Sequence, residues 1–316
     1  MAFKFKRKES TTRALRRLCA DRVDTALGQI HEGDTLDAVH AVRKEIKRLR
    51  ALLRLMQPGL RRGDFRAAMC RLKEAARQFG PARDAHVTVQ ALDLVLDHFK
   101  GQLGPRPFAD FRPALRQACR DEEKRLHREH LCRRVSRLLR QVKKRIEGAS
   151  LRQEGWPVLG AGLKRTYRNG RKAWKLALAD LSPKNLHEWR KQAKELGYQL
   201  RLLCPIWPEQ LEAAQRELTA LGQYLGDDHD LFMLTAAVRD GCSAKTSPVE
   251  LEMLCGLIIQ RQDELRRQAL ALGARFYAEK PSIFCQRLGD YWHVWRRRTA
   301  KARGKKRNVG KLKMEI

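Results

Sequence analysis

A short segment of the chain places basic side chains at the spacing of one helix face. It runs from residue 39 to residue 56 and reads VHAVRKEIKRLRALLRLM. Its first basic positions, at i, i+3, i+4 and i+7, are His40, Arg43, Lys44 and Lys47. Side chains at that spacing lie on one side of an α-helix, and like charges held there repel one another. Such a line of cationic donors is suited to binding an elongated anion.

The same pattern occurs a second time, 147 residues later. The segment LHEWRKQAKELGYQLRLLCP, residues 186–205, carries it at His187, Arg190, Lys191 and Lys194. Nine of the nineteen positions from 40 to 58 are identical to their counterparts. A further pair, FGPARDA at 79–85 and LGDDHDL at 225–231, follows in the same order at an offset of 146. Matched segments in the same order predict an internal duplication of a unit of about 147 residues.

An apolar line runs beside each basic line. It consists of Val39, Val42, Ile46, Leu49 and Leu53 in the first segment, and of Leu186, Trp189, Ala193, Leu196 and Leu200 in the second. Each helix therefore already has a side that faces a core, and the cations occupy an adjacent stripe about a third of a turn away. Two facing stripes would form a groove or channel whose low-dielectric walls concentrate the positive potential.

The two basic stripes differ beyond the shared motif. Arg54 extends the first stripe, and Arg201 matches it in the second. Arg50 is a further candidate, but Gly197 stands at its counterpart, so we expect the two halves to bind an anion unequally. A histidine heads each stripe and can donate a hydrogen bond in either protonation state. Protonation of these histidines below about pH 6.5 would strengthen anion binding.

These paired segments, with GLKRTYRNGRKA at 162–173 leading into the second, resemble the CHAD family, whose name abbreviates conserved histidine α-helical domain. The resemblance covers about residues 5–297. It implies an all-α fold of two four-helix bundles related by a pseudo-twofold axis, with a basic central channel. It also implies non-catalytic binding of inorganic polyphosphate by the motif residues that match the channel lining: His40, Arg43, Lys44, Lys47, His187, Arg190, Lys191 and Lys194.

A third basic line precedes the second motif helix. It consists of Arg165, Arg168 and Arg171 at three-residue spacing. We interpret these arginines as phosphate contacts, and a plain solvated face is the alternative.

The segments GPARD and GDDHD add further candidates. Arg83 and His229 occupy equivalent positions in them and are candidates for the channel lining. Asp84 and Asp230, which follow them, would either cap a helix or hold a neighbouring Arg, Lys or His in place. Because adjacent residues of a helix diverge by 100°, the acidic run cannot converge on one ion. No metal site and no cofactor are predicted.

The composition predicts a helical chain with a polyanionic partner. The 316 residues are 43% hydrophobic, poor in Gly and Pro, and rich in residues that favour helices. Lys and Arg number 67 against 36 Asp and Glu, a formal net charge of +31. Such self-repulsion is relieved by a phosphate polymer, a nucleic acid or an anionic membrane surface. No apolar run approaches the ~20 residues that span a bilayer, so no membrane insertion is expected.

Cysteine usage and the first residues predict a cytoplasmic location. The eight cysteines are scattered without a C-x-x-C pair, which is typical of reduced thiols. The opening MAFKFKRKES has charge but no apolar stretch, so no secretory leader is expected. Association with polyphosphate granules would follow from polyphosphate binding.

The helical pattern divides the chain into two similar parts. Helices are predicted at about 13–30, 36–57, 64–79, 83–100, one helix or a pair within 108–147, then 159–178, 183–204, 208–225, 227–241, 248–272 and 281–297. The predicted N-caps are one of the residues from Ser10 to Thr12 for the first helix, either Asp34 or Thr35 for the second, and Ser182. The predicted division places one bundle at 5–147, a second at 157–297, and a basic disordered arm at 298–316.

Two other functions remain open at this point. A nucleic-acid-binding protein would use the same basic surface and the C-terminal arm. An enzyme acting on phosphate chains is the other alternative, although the chain has no recognisable nucleophile motif, no P-loop and no Glu-x-Glu-x-Lys strand. We therefore predict a binding protein rather than an enzyme.

Overall fold

A computed structural model describes residues 3–33, 35–103, 108, 111–240 and 247–307, with side chains as far as residue 297. Every regular element in these ranges is helical, as the sequence predicted. The α-helices are α1 (Thr11–His31), α2 (Leu36–Met56), α3 (Arg62–Gln78), α4 (Gly80–His98), α5 (Phe111–Arg128), α6 (Leu131–Glu147), α7 (Trp156–Ala179), α8 (Pro183–Leu203), α9 (Pro208–Asp240), α10 (Pro248–Phe276) and α11 (Pro281–Arg307). Short 3₁₀ turns lie at Lys100–Gln102 and Cys204–Ile206.

Predicted N-cap residues precede α1, α2 and α8 in the structure. The Ser10 side chain accepts a hydrogen bond from the backbone N–H of Arg13. Thr35 caps α2 in the same way by accepting from Ala38, and the alternative cap at residue 34 lies outside the described residues. Ser182 is the N-cap position of α8. The Ser10 and Thr35 side chains thus satisfy N–H groups that a helix leaves without an internal partner, whereas Ser182 makes no such side-chain hydrogen bond.

The helices pack into two rings of four. Helices α1, α2, α3 and α6 form the first ring, and α7, α8, α9 and α10 form the second, with α11 packed on α7. Contacts of α2 with α7 and α8 join the rings, and one apolar core runs through both. The all-α class is therefore confirmed. The internal duplication and the domain limits at 5–147 and 157–297 stay predictions.

A second apolar core lies to one side of these rings and was not predicted. Helix α4 packs on α5, on α9 and on α10, and side chains from the C-terminal part of α9 and the N-terminal part of α10 join those of α4 and α5 in this core. Its buried side chains include Leu92, Phe99, Leu234 and Ile258. This core positions α4 and α9 next to the α2–α8 crossing, where both helices contribute to the candidate site.

Several predicted helix limits were wrong. The break expected near Gly226 does not exist, because α9 is one helix from Pro208 to Asp240 that packs on α4, α8 and α10. A glycine costs an isolated helix about 1 kcal/mol, which packing on three neighbours outweighs.

The other differences concern the ends of helices and the terminal arm. The segment 108–147 contains the pair α5 and α6, and α10 continues to Phe276. Helix α11 reaches Arg307, ten residues beyond its predicted end, so the first part of the arm predicted to be disordered is helical. Residues 308–316 of that arm, residues 104–107 between two predicted helices, and the end of the predicted 227–241 helix lie outside the described residues.

A glycine allows the two rings to approach closely. A Cβ added to Gly162 of α7 would overlap the carbonyl oxygen of Leu55 of α2. We expect Gly162→Ala to lower the free energy of unfolding by about 1–3 kcal/mol, because α7 and α2 must separate. Chemical denaturation measures this change.

Gly256 provides the matched control. It lies within α10, and an added Cβ there would meet nothing within 4 Å. Gly256→Ala should raise the free energy of unfolding by about 0.5–1 kcal/mol through helix propensity alone. Equal effects of the two substitutions would contradict the close α2–α7 contact.

Candidate polyanion-binding site

The two motif helices meet at the join between the rings with their apolar lines buried. All ten apolar positions predicted from the sequence are at most 2% exposed. The helices cross so that Gln199 of α8 donates a hydrogen bond to the carbonyl oxygen of Ala51 of α2, at 3.3 Å. Because the apolar lines fix how each helix is turned, the basic stripes have to lie beside this crossing.

Two cavities flank the crossing and share part of their lining. The larger cavity has a volume of about 780 Å³ and the smaller one of about 390 Å³. Both are lined by Arg43, Lys47, Arg83, Arg190, Lys194 and Tyr198. We call the two arginines and two lysines contributed by α2 and α8 the shared cation cluster: Arg43, Lys47, Arg190 and Lys194. The structure thus brings together the inner residues of both predicted stripes.

The remaining stripe residues divide between the cavities in a reciprocal way. The larger cavity takes His40 and Lys44 from the start of α2 and Arg201 from the end of α8. The smaller cavity takes the counterparts: His187, Lys191, Arg50 and Arg54. This exchange is what a pseudo-twofold axis between α2 and α8 produces. Position 50 breaks the symmetry, because its counterpart in the larger cavity is Gly197.

Helices α4 and α9 complete the walls. Arg83 of α4 donates a hydrogen bond to Asp230 of α9 at 2.7 Å and also pairs with Asp84 at 3.1 Å. Asp230 also lies 3.3 Å from Nδ1 of His229, which lines the smaller cavity. Both aspartates lie inside helices, so the prediction that they cap a helix was wrong. The alternative prediction, that they hold a neighbouring Arg or His in place, is confirmed.

Two glycines of α9 give the cluster its space. A Cβ on Gly222 would lie 3.2 Å from Cγ of Lys194, and one on Gly226 would lie 3.4 Å from a terminal nitrogen of Arg190. The cationic side chains of α8 therefore run directly along the backbone of α9. Gly226, interpreted from the sequence as a helix break, is instead a contact position for a site arginine.

The cluster combines burial with repulsion between like charges. Burial, followed by the charges of Lys194 and Arg190, lowers the pKa of Lys47 to about 6. Burial and the charge of Arg190 lower the pKa of Lys194 to about 8, against the opposing effect of Asp230. Burial is also the main cause that lowers the pKa of Arg43. Water that would normally solvate these cations is largely excluded, which favours their neutral forms.

The arginines of the site also have unused donors. The Nε groups of Arg43, Arg50 and Arg190 are buried and have no hydrogen-bond partner among the described residues. In the same part of the chain, no carboxylate forms an ion pair with Arg43, Lys47, Arg190 or Lys194, although Arg43 donates to the carbonyl oxygen of Ala76 at 2.5 Å. Buried donors without acceptors are costly, and an anion with several oxygens would satisfy them.

The histidines titrate below the range expected from the sequence. Burial, followed by the charge of His229, lowers the pKa of His187 to about 4, and the two rings lie 4.9 Å apart between centroids. Burial and the charge of Lys47 lower the pKa of His40. The predicted onset of protonation near pH 6.5 is therefore wrong for the unliganded protein. Lys47, with a pKa of about 6, and Lys194, with a pKa of about 8, are the lysines of the site whose pKa values lie nearest to neutral pH.

The third basic line lies outside both cavities. Arg165 donates to the carbonyl oxygen of Arg54 at 2.6 Å, and Arg171 donates to that of Tyr277 at 3.0 Å. Arg168 is exposed and lines neither cavity. Phosphate contact by these three arginines stays a prediction that the geometry does not favour.

Like Arg83, Arg54 is paired with a carboxylate. Arg54 forms an ion pair with Glu195, which is buried and lines the smaller cavity. The counterpart of Glu195 in the first motif is Arg48, which lines the larger cavity. The two cavities therefore differ in charge at this pair of matched positions, in addition to the difference between Arg50 and Gly197.

Some lining residues were missed in the sequence. Tyr198 lies four residues after Lys194, and Arg48 lies four residues after Lys44, so helical spacing could have identified both. Arg261 reaches the larger cavity from α10, and no sequence signal connects it to either motif.

Other kinds of site are not found in the described part of the chain. No group of three or more His, Cys, Asp or Glu there could hold a metal ion. No helix in the same ranges is long and apolar enough to cross a membrane. The cysteines of the described ranges are free thiols.

A comparison with protein families agrees with this geometry. The model of the CHAD domain matches residues 13–239, well over half of the chain. The chain belongs to the CHAD family. The match includes both motif helices and ends at the last residue but one of α9.

Solved structures show the same fold at low sequence identity. PptA from Streptomyces chartreusis superposes with a TM-score of 0.61 at 15% identity, covering 86% of this chain and 100% of that one. The CHAD domain from the plant Ricinus communis gives a TM-score of 0.57 at 15% identity, covering 84% and 89%. A search of curated proteins found no significant match.

The titration of the cluster predicts how stability depends on pH. Between pH 6 and the ordinary lysine value of 10.5, the unfolded chain binds a proton at Lys47 that the folded chain does not bind. Stability of the unliganded protein should therefore rise with pH across this window. We expect a higher melting temperature at about pH 9 than at about pH 6.5 in low-salt buffer without phosphate.

Two variants of α2 test the cause. Lys47→Met should raise the melting temperature near pH 6.5 and flatten its pH dependence. Lys44→Met changes an exposed lysine of the same helix and should leave both unaltered. Lys194, with its pKa of about 8, should leave a shallower pH dependence in Lys47→Met. A pH dependence as steep as that of the unchanged protein would contradict the role of Lys47.

Proposed function

We propose that this CHAD protein binds inorganic polyphosphate in a channel formed by its two cavities, and that it does so without catalysis. The observation that carries the proposal is the shared cation cluster, which lines both cavities and is half-buried without ion-pair partners among the described residues. A phosphate chain that occupies both cavities would neutralise the cluster at its centre. The eight motif residues, with Arg50, Arg54, Arg83, Arg201 and His229, are its proposed contacts.

The chemistry of the side chains suits a chain of phosphoryl groups. Arginine can donate two parallel hydrogen bonds to phosphoryl oxygens, whereas lysine supplies a compact charge. Each contact displaces a counterion, so affinity should fall steeply with salt, by analogy with nucleic-acid binding. The family resemblance supports the same ligand. Granule association belongs to this proposal, and a fluorescent fusion that fails to co-localise with cellular polyphosphate would argue against it.

Neutralising the shared cation cluster should abolish binding. We expect the quadruple variant Arg43→Gln, Lys47→Gln, Arg190→Gln and Lys194→Gln to lose at least about 100-fold in affinity for length-defined polyphosphate, because four central contacts are removed. Its melting temperature should not fall, since the substitutions relieve repulsion. Calorimetry and circular dichroism measure the two quantities.

A matched control removes the same charge from the surface. Arg133, Arg134, Arg137 and Arg140 are exposed on α6, away from both cavities. Changing these four to Gln lowers the net charge equally and should change affinity by less than about threefold. Equal losses in the two quadruple variants would show that overall charge, rather than the channel, binds the polymer.

Competition separates polyphosphate from nucleic acid as the preferred ligand. Polyphosphate should displace bound RNA or DNA far more readily than nucleic acid displaces polyphosphate, because the cavities expose few aromatic surfaces for bases. The reverse order would favour a nucleic-acid-binding protein. Shortening of polyphosphate during long incubation with divalent metal ions would favour an enzyme.

Binding should be accompanied by proton uptake. Phosphate oxygens beside Lys47 favour its charged form, so its pKa should rise from about 6 when the polymer binds. Affinity should therefore increase as pH falls from about 8.5 to about 6.5. Calorimetry in buffers of different ionisation enthalpy measures the protons taken up.

Lys47→Arg is the control for this linkage. Arginine keeps the charge but does not lose its proton in this pH range. The variant should bind polyphosphate with less proton uptake near neutral pH. Unchanged uptake would contradict the assignment to Lys47.

A further inference from the structure

Lys47 is the amine of the shared cation cluster that α2 contributes. It lines both cavities and is half-buried. Its Nζ forms no ion pair and no hydrogen bond among the described residues. An amine that lines a cavity and has no carboxylate partner is available to a small molecule that enters that cavity.

Cations from three helices act on this amine. The neighbouring charges with the largest effect on it are those of Lys194, Arg190, Arg43 and Arg83. The carboxylates of α9 that line the larger cavity have other partners. Asp230 accepts a hydrogen bond from Arg83 at 2.7 Å, and Asp227 accepts one from Gln223 at 2.7 Å. Lys47 therefore lies among positive groups, several of which can hold a phosphate.

This environment keeps a nucleophile uncharged. Burial, followed by the charges of Lys194 and Arg190, lowers the pKa of Lys47 to about 6, so most of the amine is neutral at about pH 7.5. Only the neutral amine has the lone pair that attacks a carbonyl carbon, and proteins activate lysine for such attack by desolvation or by a neighbouring cation. A reagent that joins a phosphate to an electrophilic carbonyl suits both the amine and the arginines around it.

We propose that Lys47 is acylated by acyl phosphates, in which a carbonyl carbon is bonded to an oxygen of a phosphate group. The phosphate lies against the guanidinium groups of Arg43 and Arg190, which places the carbonyl beside the amine. The Lys47 nitrogen forms a bond to the carbonyl carbon, and the bond from that carbon to the phosphate oxygen breaks. The products are an amide and orthophosphate. The proton lost by the amine ends on the orthophosphate, and the guanidinium groups stabilise the charge of this leaving group.

Acylation removes one of the four charges of the shared cation cluster, so the modified protein binds polyphosphate more weakly. The inference shares this cluster with the proposed function, but the reaction itself does not require polyphosphate as a ligand. A small acyl phosphate brings one phosphate group and leaves part of the amine neutral. A polymer that occupies both cavities brings many more charges and favours the protonated amine. Polyphosphate bound beforehand should therefore protect Lys47.

Peptide mass spectrometry after brief incubation with acetyl phosphate measures the site of reaction. In the full chain at about pH 7.5 and low salt, we expect Lys47 to be acetylated at least about tenfold faster than Lys44. Lys44 is the matched control, because it lies on the same helix and lines the larger cavity but is exposed. A Lys47 rate no higher than that of Lys44 would overturn the proposal.

An uncharged reagent separates the reactivity of the amine from the binding of phosphate. The ester p-nitrophenyl acetate transfers the same acetyl group from a leaving group without phosphate. The ratio of the Lys47 rate to the Lys44 rate should be at least about threefold smaller with this ester. An equal ratio would show that the arginines do not hold the phosphate of the reagent, which would overturn acyl phosphates as the class of reagent.

Protection by the polymer separates this inference from the proposed function. Long polyphosphate should slow acetylation of Lys47 at least about tenfold and that of Lys184, an exposed lysine of α8 outside both cavities, less than about twofold. Rapid acetylation of Lys47 that polyphosphate leaves unchanged would overturn the channel and support the acylation site. Polyphosphate binding without preferential acetylation of Lys47 would overturn the acylation site alone.

Discussion

The structure depends on holding like charges together in a place with little water. Four cations from α2 and α8 lie next to one another, and burial, followed by their mutual repulsion, lowers the pKa values of Lys47 and Lys194. Burial of the apolar lines of the two motif helices opposes that repulsion. Each fully buried side chain of the size of valine or larger contributes about 1.5–3 kcal/mol, and nine of the ten positions in the two apolar lines are of this kind. The core therefore forces the motif helices into an arrangement that their charges alone would not adopt.

This balance explains why part of the site could be predicted from the sequence. Helical periodicity fixes which residues share a face, so the buried seam and the adjacent stripe followed directly from the spacing of Val39, Ile46 and Leu53 in one copy. The second copy supplied the facing stripe. What the sequence could not provide was the angle between the two helices, which decides that His40 and His187 line different cavities.

The missed features arise from packing between distant segments. The second apolar core joins α4 and α5 to the C-terminal part of α9 and the N-terminal part of α10. No local sequence pattern encodes that association. Arg171 had a suitable type and spacing for phosphate, yet it donates to the carbonyl oxygen of Tyr277 instead. The low pKa of Lys47 is likewise a property of its surroundings, because spacing alone does not report how much water a side chain keeps.

The ion pair between Arg83 and Asp230 has a consequence for ligand binding. It joins α4 to α9 beside the shared cations, and Arg83 lines both cavities. A polymer that occupied both cavities would pass next to this ion pair, so its phosphoryl oxygens and the carboxylate of Asp230 would compete for the same guanidinium.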